Sequence, residues 1–105
     1  MDSQLNRVVL KICILQLVLK EDRYGYDIVK IMRKYFKDTD ESTFYTIMRR
    51  LSSEKLTEMY YSDISKGPMR KYYKITGDGK KYLLNYINSW KKIEDVFCEL
   101  GILSE

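Results

Sequence analysis

Apolar residues recur at helical spacing in the first part of the chain and define the buried sides of two predicted helices. From Leu5 to Leu19 they cover a wide arc, which predicts a helix that is covered on more than one side; the arc consists of Leu5, Val8, Val9, Ile12, Leu15 and Leu19. A second helix opens at Tyr24–Gly25–Tyr26. Its predicted buried residues are Ile28, Ile31, Met32 and Tyr35, and its predicted exposed residues are Lys30, Arg33, Lys34 and Lys37.

The third predicted helix, from Ser42 to Ser53, has a polar side without acidic residues. Its apolar stripe consists of Phe44, Ile47, Met48 and Leu51. The opposite side carries Ser42, Thr46, Arg49 and Ser53, flanked by Tyr45 and Arg50. A solvated helix face more often mixes lysine with glutamate. Asp40 is the predicted N-cap, and the connection to the second helix is short enough for a helix-turn-helix.

Strand-like patterns follow, and a last helix ends the chain. Thr57–Ile64 and Met69–Ile75 flank a Gly-Pro turn, which predicts a β-hairpin. Tyr73 and Ile75 share one face of it. One residue of the pair Tyr60–Tyr61 is expected in the core, and the pattern does not say which. Thr76 then caps a helix whose apolar residues follow a heptad spacing: Leu83, Tyr86, Trp90, Ile93, Phe97 and Leu100.

This order of elements predicts a mainly α fold with a small β-hairpin, a winged helix-turn-helix followed by a long C-terminal dimerisation helix. We place the winged helix at residues 1–75 and the dimerisation helix at residues 76–105, within one compact unit. The heptad seam favours pairing between two copies of the chain over an ordinary core helix. A homodimer is therefore expected.

Positive charge is concentrated in the middle of the chain. Residues 42–81 hold nine basic and four acidic side chains, a balance of +5, whereas residues 1–41 have a balance of +1 and residues 82–105 of −2. A segment of this kind attracts a polyanion.

Composition excludes several other classes of function. The chain has no histidine, which removes the commonest general base and metal ligand. We expect no enzyme, no metal and no cofactor. Cys13 and Cys98 match no metal or redox spacing, and together with the lack of a signal sequence or a membrane-spanning run they suggest the cytoplasm.

The predicted partner is double-stranded DNA. The third helix can enter the major groove and present Arg49 to a guanine edge. Its other predicted DNA contacts are Ser42, Thr43, Thr46 and Arg50, with Tyr45 contacting either the DNA or the shoulder of the core. The hairpin contributes Lys66, Arg70 and Lys71 along the backbone or minor groove. The alternative is a winged-helix module that binds proteins rather than a specific DNA sequence, and the +5 segment disfavours it.

Three motifs, in order, resemble the PadR family of bacterial transcriptional regulators: Tyr24–Ile28, Thr43–Leu51 and Gly67–Thr76 with Gly79. The resemblance runs from about Leu15 to Phe97. It implies a dimeric winged-helix repressor without a metal, which controls its own gene or a neighbouring one.

The short C-terminal part resembles the small-subunit branch of that family, which includes multidrug-sensing repressors. The resemblance implies that Ser89–Trp90 forms an aromatic wall for a planar aromatic or phenolic effector. Packing of Trp90 in the dimer seam is an equal alternative. The first helix has no aromatic residue, so the remaining walls of such a site would be aliphatic, with Cys13.

Overall fold

The computed structural model describes residues 3–63 and 67–104, with side chains described from residue 6 onward. The described residues form four helices and three strands. They are α1 (Ser3–Lys20), β1 (Arg23–Tyr24), α2 (Gly25–Tyr35), α3 (Glu41–Ser53), β2 (Thr57–Ser62), β3 (Arg70–Ile75) and α4 (Gly77–Glu99). The predicted mainly α class, with a helix-turn-helix followed by a hairpin and a long helix, is confirmed.

The three strands form an antiparallel sheet in the order β1-β3-β2. Thr57 lies opposite Ile75 and Ser62 opposite Arg70, so the hairpin pairs over the full length of both strands. The two-residue strand β1 adds Tyr24 opposite Tyr72. The strand β1 was not predictable from the sequence, because two residues are too few to show an alternating pattern.

The helix α1 forms the centre of the core and contacts α2, α3, α4 and β3. Its fully buried residues are Leu10, Ile14, Leu15 and Val18. The predicted arc was partly wrong, because Leu19 is 41% exposed and Val8, Val9 and Ile12 are only half-buried. A helix surrounded on several sides does not have one apolar stripe that periodicity can identify.

Two tyrosine predictions were wrong. Tyr35 at the end of α2 is 75% exposed, and Val29 is buried in the helix instead. Neither Tyr60 nor Tyr61 enters the core. Tyr60 stacks on Tyr72, with ring centroids 5.7 Å apart, on the face of the sheet opposite to the buried Tyr73, and Tyr61 is exposed.

The helix α3 buries the predicted stripe of Phe44, Ile47, Met48 and Leu51. Asp40 is its N-cap, but through the backbone only, since its side chain makes no capping hydrogen bond. At the other end, the amide of Leu56 donates to the Leu51 carbonyl at 2.9 Å and the amide of Lys55 to the Ser52 carbonyl at 3.0 Å. This is a Schellman motif, with Lys55 in the left-handed region at φ 63°.

The helix α4 begins in the core and extends out of it. As predicted, the Thr76 hydroxyl caps it, accepting from the amide of Gly79 at 2.9 Å. Leu83 lies in the common core, but most side chains beyond Ile87 are exposed. At 1.5 Å per residue its 23 residues span roughly 35 Å, about two thirds of the longest dimension of the molecule, 53 Å. Within the described residues, no helix combines the length and apolar character that crossing a membrane requires.

Candidate nucleic-acid interface

The exposed stripe of α3 is organised by a chain of hydrogen bonds. The Thr46 hydroxyl donates to the carbonyl of Ser42 at 2.9 Å, one turn earlier. The guanidinium Nη2 of Arg49 donates to Thr46 Oγ1 at 3.2 Å. Arg49 is therefore held along the helix with most of its donors free for a partner. All three side chains are exposed, as the sequence predicts.

The adjacent Arg50 is also exposed and continues the row of Ser42 and Thr46, with one helical turn between successive members. It lines a cleft of about 390 Å³ between α1, α3 and α4. The other residues that line the cleft are Arg7, Val8, Lys11, Ser42, Thr43, Thr46, Ile47, Tyr82 and Tyr86. Four of the predicted DNA contacts, Ser42, Thr43, Thr46 and Arg50, thus border this cleft.

The two cations that α1 contributes to this cleft, Arg7 and Lys11, are not among the predicted site residues. Arg7 and Lys11 are four residues apart, which places them on the same side of a helix. This spacing is the one feature of the sequence from which a shared basic side of α1 could have been predicted. Only the structure shows that this side of α1 faces Arg50.

A polar cluster beside the cleft joins α1, α4 and Glu54, the residue that follows α3. Lys11 Nζ lies 2.8 Å from Glu54 Oε1 and 4.8 Å from the centre of the Tyr82 ring. Burial lowers the pKa of Lys11, but hydrogen bonds to Glu54 and Tyr82 outweigh it and raise the pKa above its usual value. The hydrogen bond between Tyr86 and Tyr82 raises the pKa of Tyr86. Lys11 is therefore charged and Tyr86 neutral at neutral pH.

Tyr45 is half-buried at the edge of the core. It packs beside Gly25, where an added Cβ would lie 4.0 Å from its ring. Burial, followed by the nearby carboxylate of Glu41, raises its pKa. The structure thus places Tyr45 at the shoulder of the core, next to the exposed stripe.

The hairpin presents two predicted DNA contacts in the described part of the chain. The Arg70 guanidinium lies over the ring of Tyr24 at 4.8 Å, and the Lys71 ammonium lies 5.8 Å from the ring centre of Tyr73. Both are half-buried at the start of β3. Lys66, the third predicted contact on the hairpin, lies outside the described residues.

A row of tyrosines covers the outer face of the sheet beside Arg70. The ring of Tyr24 lies 6.2 Å from that of Tyr26 and 6.1 Å from that of Tyr72. Tyr60 extends the row and donates to Asp22 Oδ2 at 2.7 Å. This bond to a carboxylate raises the pKa of Tyr60 to about 12. Contacts between these rings hold the strands β2 and β3 of the hairpin against β1.

The predicted seam of α4 divides into two parts. Leu83 is only 2% exposed, because the first turns of α4 pack on α1, so its assignment to a dimer interface is corrected to the core of the protomer. Trp90 is 52% exposed, Ile93 44% and Leu100 70%. Tyr86 is also exposed, and Phe97 is half-buried. These five side chains form an apolar strip on the projecting part of the helix.

These features define a class of protein. The helices α2 and α3 form a helix-turn-helix, the hairpin β2–β3 follows α3 as a wing, and the second helix of the pair exposes a basic, acid-free stripe. A winged helix-turn-helix of this kind is a DNA-binding fold.

Comparison with known proteins identifies the family. The model of the PadR-like family of transcriptional regulators matches residues 14–85. The chain belongs to the PadR-like family. It is a DNA-binding transcription regulator and not an enzyme.

Solved structures of the family resemble this one over nearly the whole chain. A PadR-like transcriptional regulator from Bacillus cereus is 34% identical, with a TM-score of 0.84, and the match covers 98% of this chain and 100% of that one. A PadR family transcription regulator from Clostridium difficile is 35% identical, with a TM-score of 0.77, and the match covers 87% of this chain and 96% of that one.

A relative is also found by sequence. A protein of Lysinibacillus sphaericus described only as uncharacterised is 39% identical over 103 residues, and the match covers 92% of this chain and 94% of that protein.

Proposed function

We propose that this regulator is a cytoplasmic repressor that binds an inverted-repeat operator as a homodimer and is released by a small effector. The observation that carries the DNA-reading part is the exposed stripe of α3, on which Thr46 positions Arg49 at 3.2 Å. No acidic residue occurs between Ser42 and Ser53 to repel a phosphate backbone. A guanidinium held in this way presents two parallel donors, which suits the O6 and N7 acceptors of guanine.

The apolar strip of α4 supports the dimer. Its five residues, Tyr86, Trp90, Ile93, Phe97 and Leu100, keep heptad spacing along a helix that projects beyond the core. A second copy of the same helix would cover them, and two-fold symmetry would then present two copies of α3 to one face of a duplex. Half-sites roughly one helical turn (about 34 Å) apart are expected.

We expect Ile93→Glu to convert the dimer into a monomer. A charge at the centre of the strip would have to be buried without a partner when the helices pair. The side chain is 44% exposed in the single protomer, so the fold of the monomer does not depend on it. Sedimentation equilibrium measures the mass, and Asn88→Glu adds the same charge to an exposed position between the heptad residues. Equal masses for Ile93→Glu and the parent chain would show that the strip is not the interface.

The effector is assigned to the surroundings of Trp90. This indole is half-exposed on the projecting helix, near the predicted two-fold axis. A planar molecule stacked between two such rings would favour one angle between the paired helices. The distance between the two copies of α3 would then depend on the ligand, with a coupling on the order of 1–3 kcal/mol.

Trp90 is the single tryptophan of the chain, so its fluorescence reports this site alone. We expect quenching by at least one member of a panel of planar aromatic cations and phenolic acids, because ring stacking brings the ligand into contact with the indole. The same ligand should release the protein from DNA. If none of the panel changes the emission, Trp90 is a packing residue of the seam and not an effector contact.

Nuclease footprinting on the DNA upstream of the protein's own gene tests the operator. Protection of two inverted half-sites, with centres about one helical turn apart, is the expected pattern for a two-fold dimer. A single protected half-site would contradict the dimeric arrangement. Absence of any protection would contradict control of its own gene.

A further inference from the structure

The cleft between α1, α3 and α4 is strongly cationic. Three of its lining residues, Arg7, Lys11 and Arg50, carry positive charge, and none of the described residues that line it is acidic. Glu54 lies beyond the lining and neutralises Lys11 through a contact of 2.8 Å. Among the described residues, neither Arg7 nor Arg50 takes part in an ion pair. Two arginines therefore face the cleft with uncompensated charge.

The remaining polar groups of the cleft are hydroxyls. Ser42, Thr43 and Thr46 contribute them from one side, and Tyr82 and Tyr86 from the other. Guanidinium groups and the hydroxyls of serine, threonine and tyrosine are among the groups that contact phosphate oxygens in complexes with DNA. The donor set therefore fits a phosphate better than a neutral molecule.

The cleft is continuous with the exposed stripe of α3. Ser42 and Thr46 belong to both, and Thr46 Oγ1 is also the acceptor for Arg49. A DNA strand at the edge of a major groove that contains Arg49 would thus pass the mouth of the cleft. On the far side of that mouth it would meet Arg7, which is exposed near the beginning of α1.

We propose that this cleft binds a phosphate of the operator backbone, with Arg7 and Arg50 as its cationic contacts. This inference rests on the proposed DNA-binding role of α3 and extends the contact surface to α1. Arg50 would contact that phosphate from the side of the recognition helix, and Arg7 would contact it from the side of α1. Both act independently of base sequence and so position the protein on the duplex.

The test is the salt dependence of binding to a labelled duplex of scrambled sequence, measured by fluorescence anisotropy for the parent chain and for Arg7→Ala. Each phosphate contact contributes about −0.9 to the slope of log affinity against log salt. Loss of Arg7 should therefore flatten the slope by roughly 0.9 for each protomer bound. Lys20→Ala is the matched control, since it removes one charge from the same helix about 20 Å away and should leave the slope as it is.

Three results would overturn the inference. The first is a slope for Arg7→Ala equal to that of the parent chain, while Arg49→Ala still weakens binding to the operator. The second is a change in oligomeric mass for Arg7→Ala, which would assign the cleft to the contact between subunits. The third is that inorganic phosphate shifts the amide resonances of Arg7 and Thr46 although Arg7→Ala leaves DNA binding unchanged, which would assign the cleft to a free anion.

Other results would contradict the proposed DNA-binding role of α3 itself. In that case the parent chain itself would bind the duplex without a steep salt dependence, and Arg49→Ala would have no effect on any duplex.

Discussion

Replacement of Gly79 by alanine is expected to lower the free energy of unfolding by about 3 kcal/mol. An added Cβ would lie 2.1 Å from the carbonyl oxygen of Leu56 and 2.7 Å from Cγ1 of Ile75. The carbonyl cannot move away without cost, because it accepts the amide of Thr76 at 3.1 Å. The first turn of α4 must therefore move away from the connection between α3 and β2. Denaturation in urea, followed by circular dichroism, measures the loss.

Gly77 provides the matched control. It lies in the same turn of α4, but a Cβ added there would meet nothing within 4 Å. Because alanine is a better helix former than glycine, Gly77→Ala should be neutral or stabilising by up to about 1 kcal/mol. Equal stability of the two alanine variants would show that close packing at Gly79 is not what fixes the start of α4.

Arg49→Ala is expected to weaken binding to the operator by about 1–3 kcal/mol for each half-site. The loss should be concentrated at one base pair, since a guanidinium that reads guanine discriminates against the other bases. The variant should therefore tolerate a change at that position which the parent chain rejects. Competition binding with a set of singly substituted operators measures both effects.

Arg49→Lys separates reading of a base from attraction to a phosphate. Lysine keeps the charge but lacks the planar pair of donors. It should restore binding to scrambled DNA without restoring the preference at the altered base pair. If lysine restores the preference as well, or if alanine weakens all duplexes equally, Arg49 contacts the backbone and the base reader lies elsewhere on α3.

The local elements were predictable where one face of the chain is buried and the other is not. In α3 the stripe of Phe44, Ile47, Met48 and Leu51 could be recognised because the other side is entirely polar. The cap by Thr76 was predicted from a hydroxyl residue directly before the helix, and the shared face of Tyr73 and Ile75 from the alternation of a strand. The membership of the family rested on motifs in these same elements, and the comparisons confirmed it.

The wrong predictions concern residues whose burial depends on tertiary contacts. Tyr60 satisfies both an alternating strand and a core position, but Asp22, 38 residues away, accepts its hydroxyl on the outer face of the sheet. The apolar Leu83 suits a dimer interface and the core of the protomer equally well. Only the packing of α4 on α1 shows that it belongs to the core. Sequence periodicity records that a residue is apolar and not which surface covers it.

The candidate site was predictable on α3 and not on α1. The stripe with Arg49 is recognisable in the sequence as a run without acidic residues. Arg7 and Lys11 are isolated basic residues in an apolar helix and form no such run. Their proximity to Arg50 depends on the way α1 crosses α3. A basic cleft formed by three separate helices has no local pattern in the chain.

The affinity of the protein for its own upstream DNA, measured at about 50 and 200 mM salt beside a shuffled duplex of equal length, tests the central claim most directly. If the exposed side of α3 reads a duplex, the upstream DNA should bind about a thousandfold more tightly than the shuffled DNA. Both affinities should fall steeply as salt is raised. Equal affinity for the two duplexes, or binding that does not change with salt, would contradict the assignment of this surface to DNA.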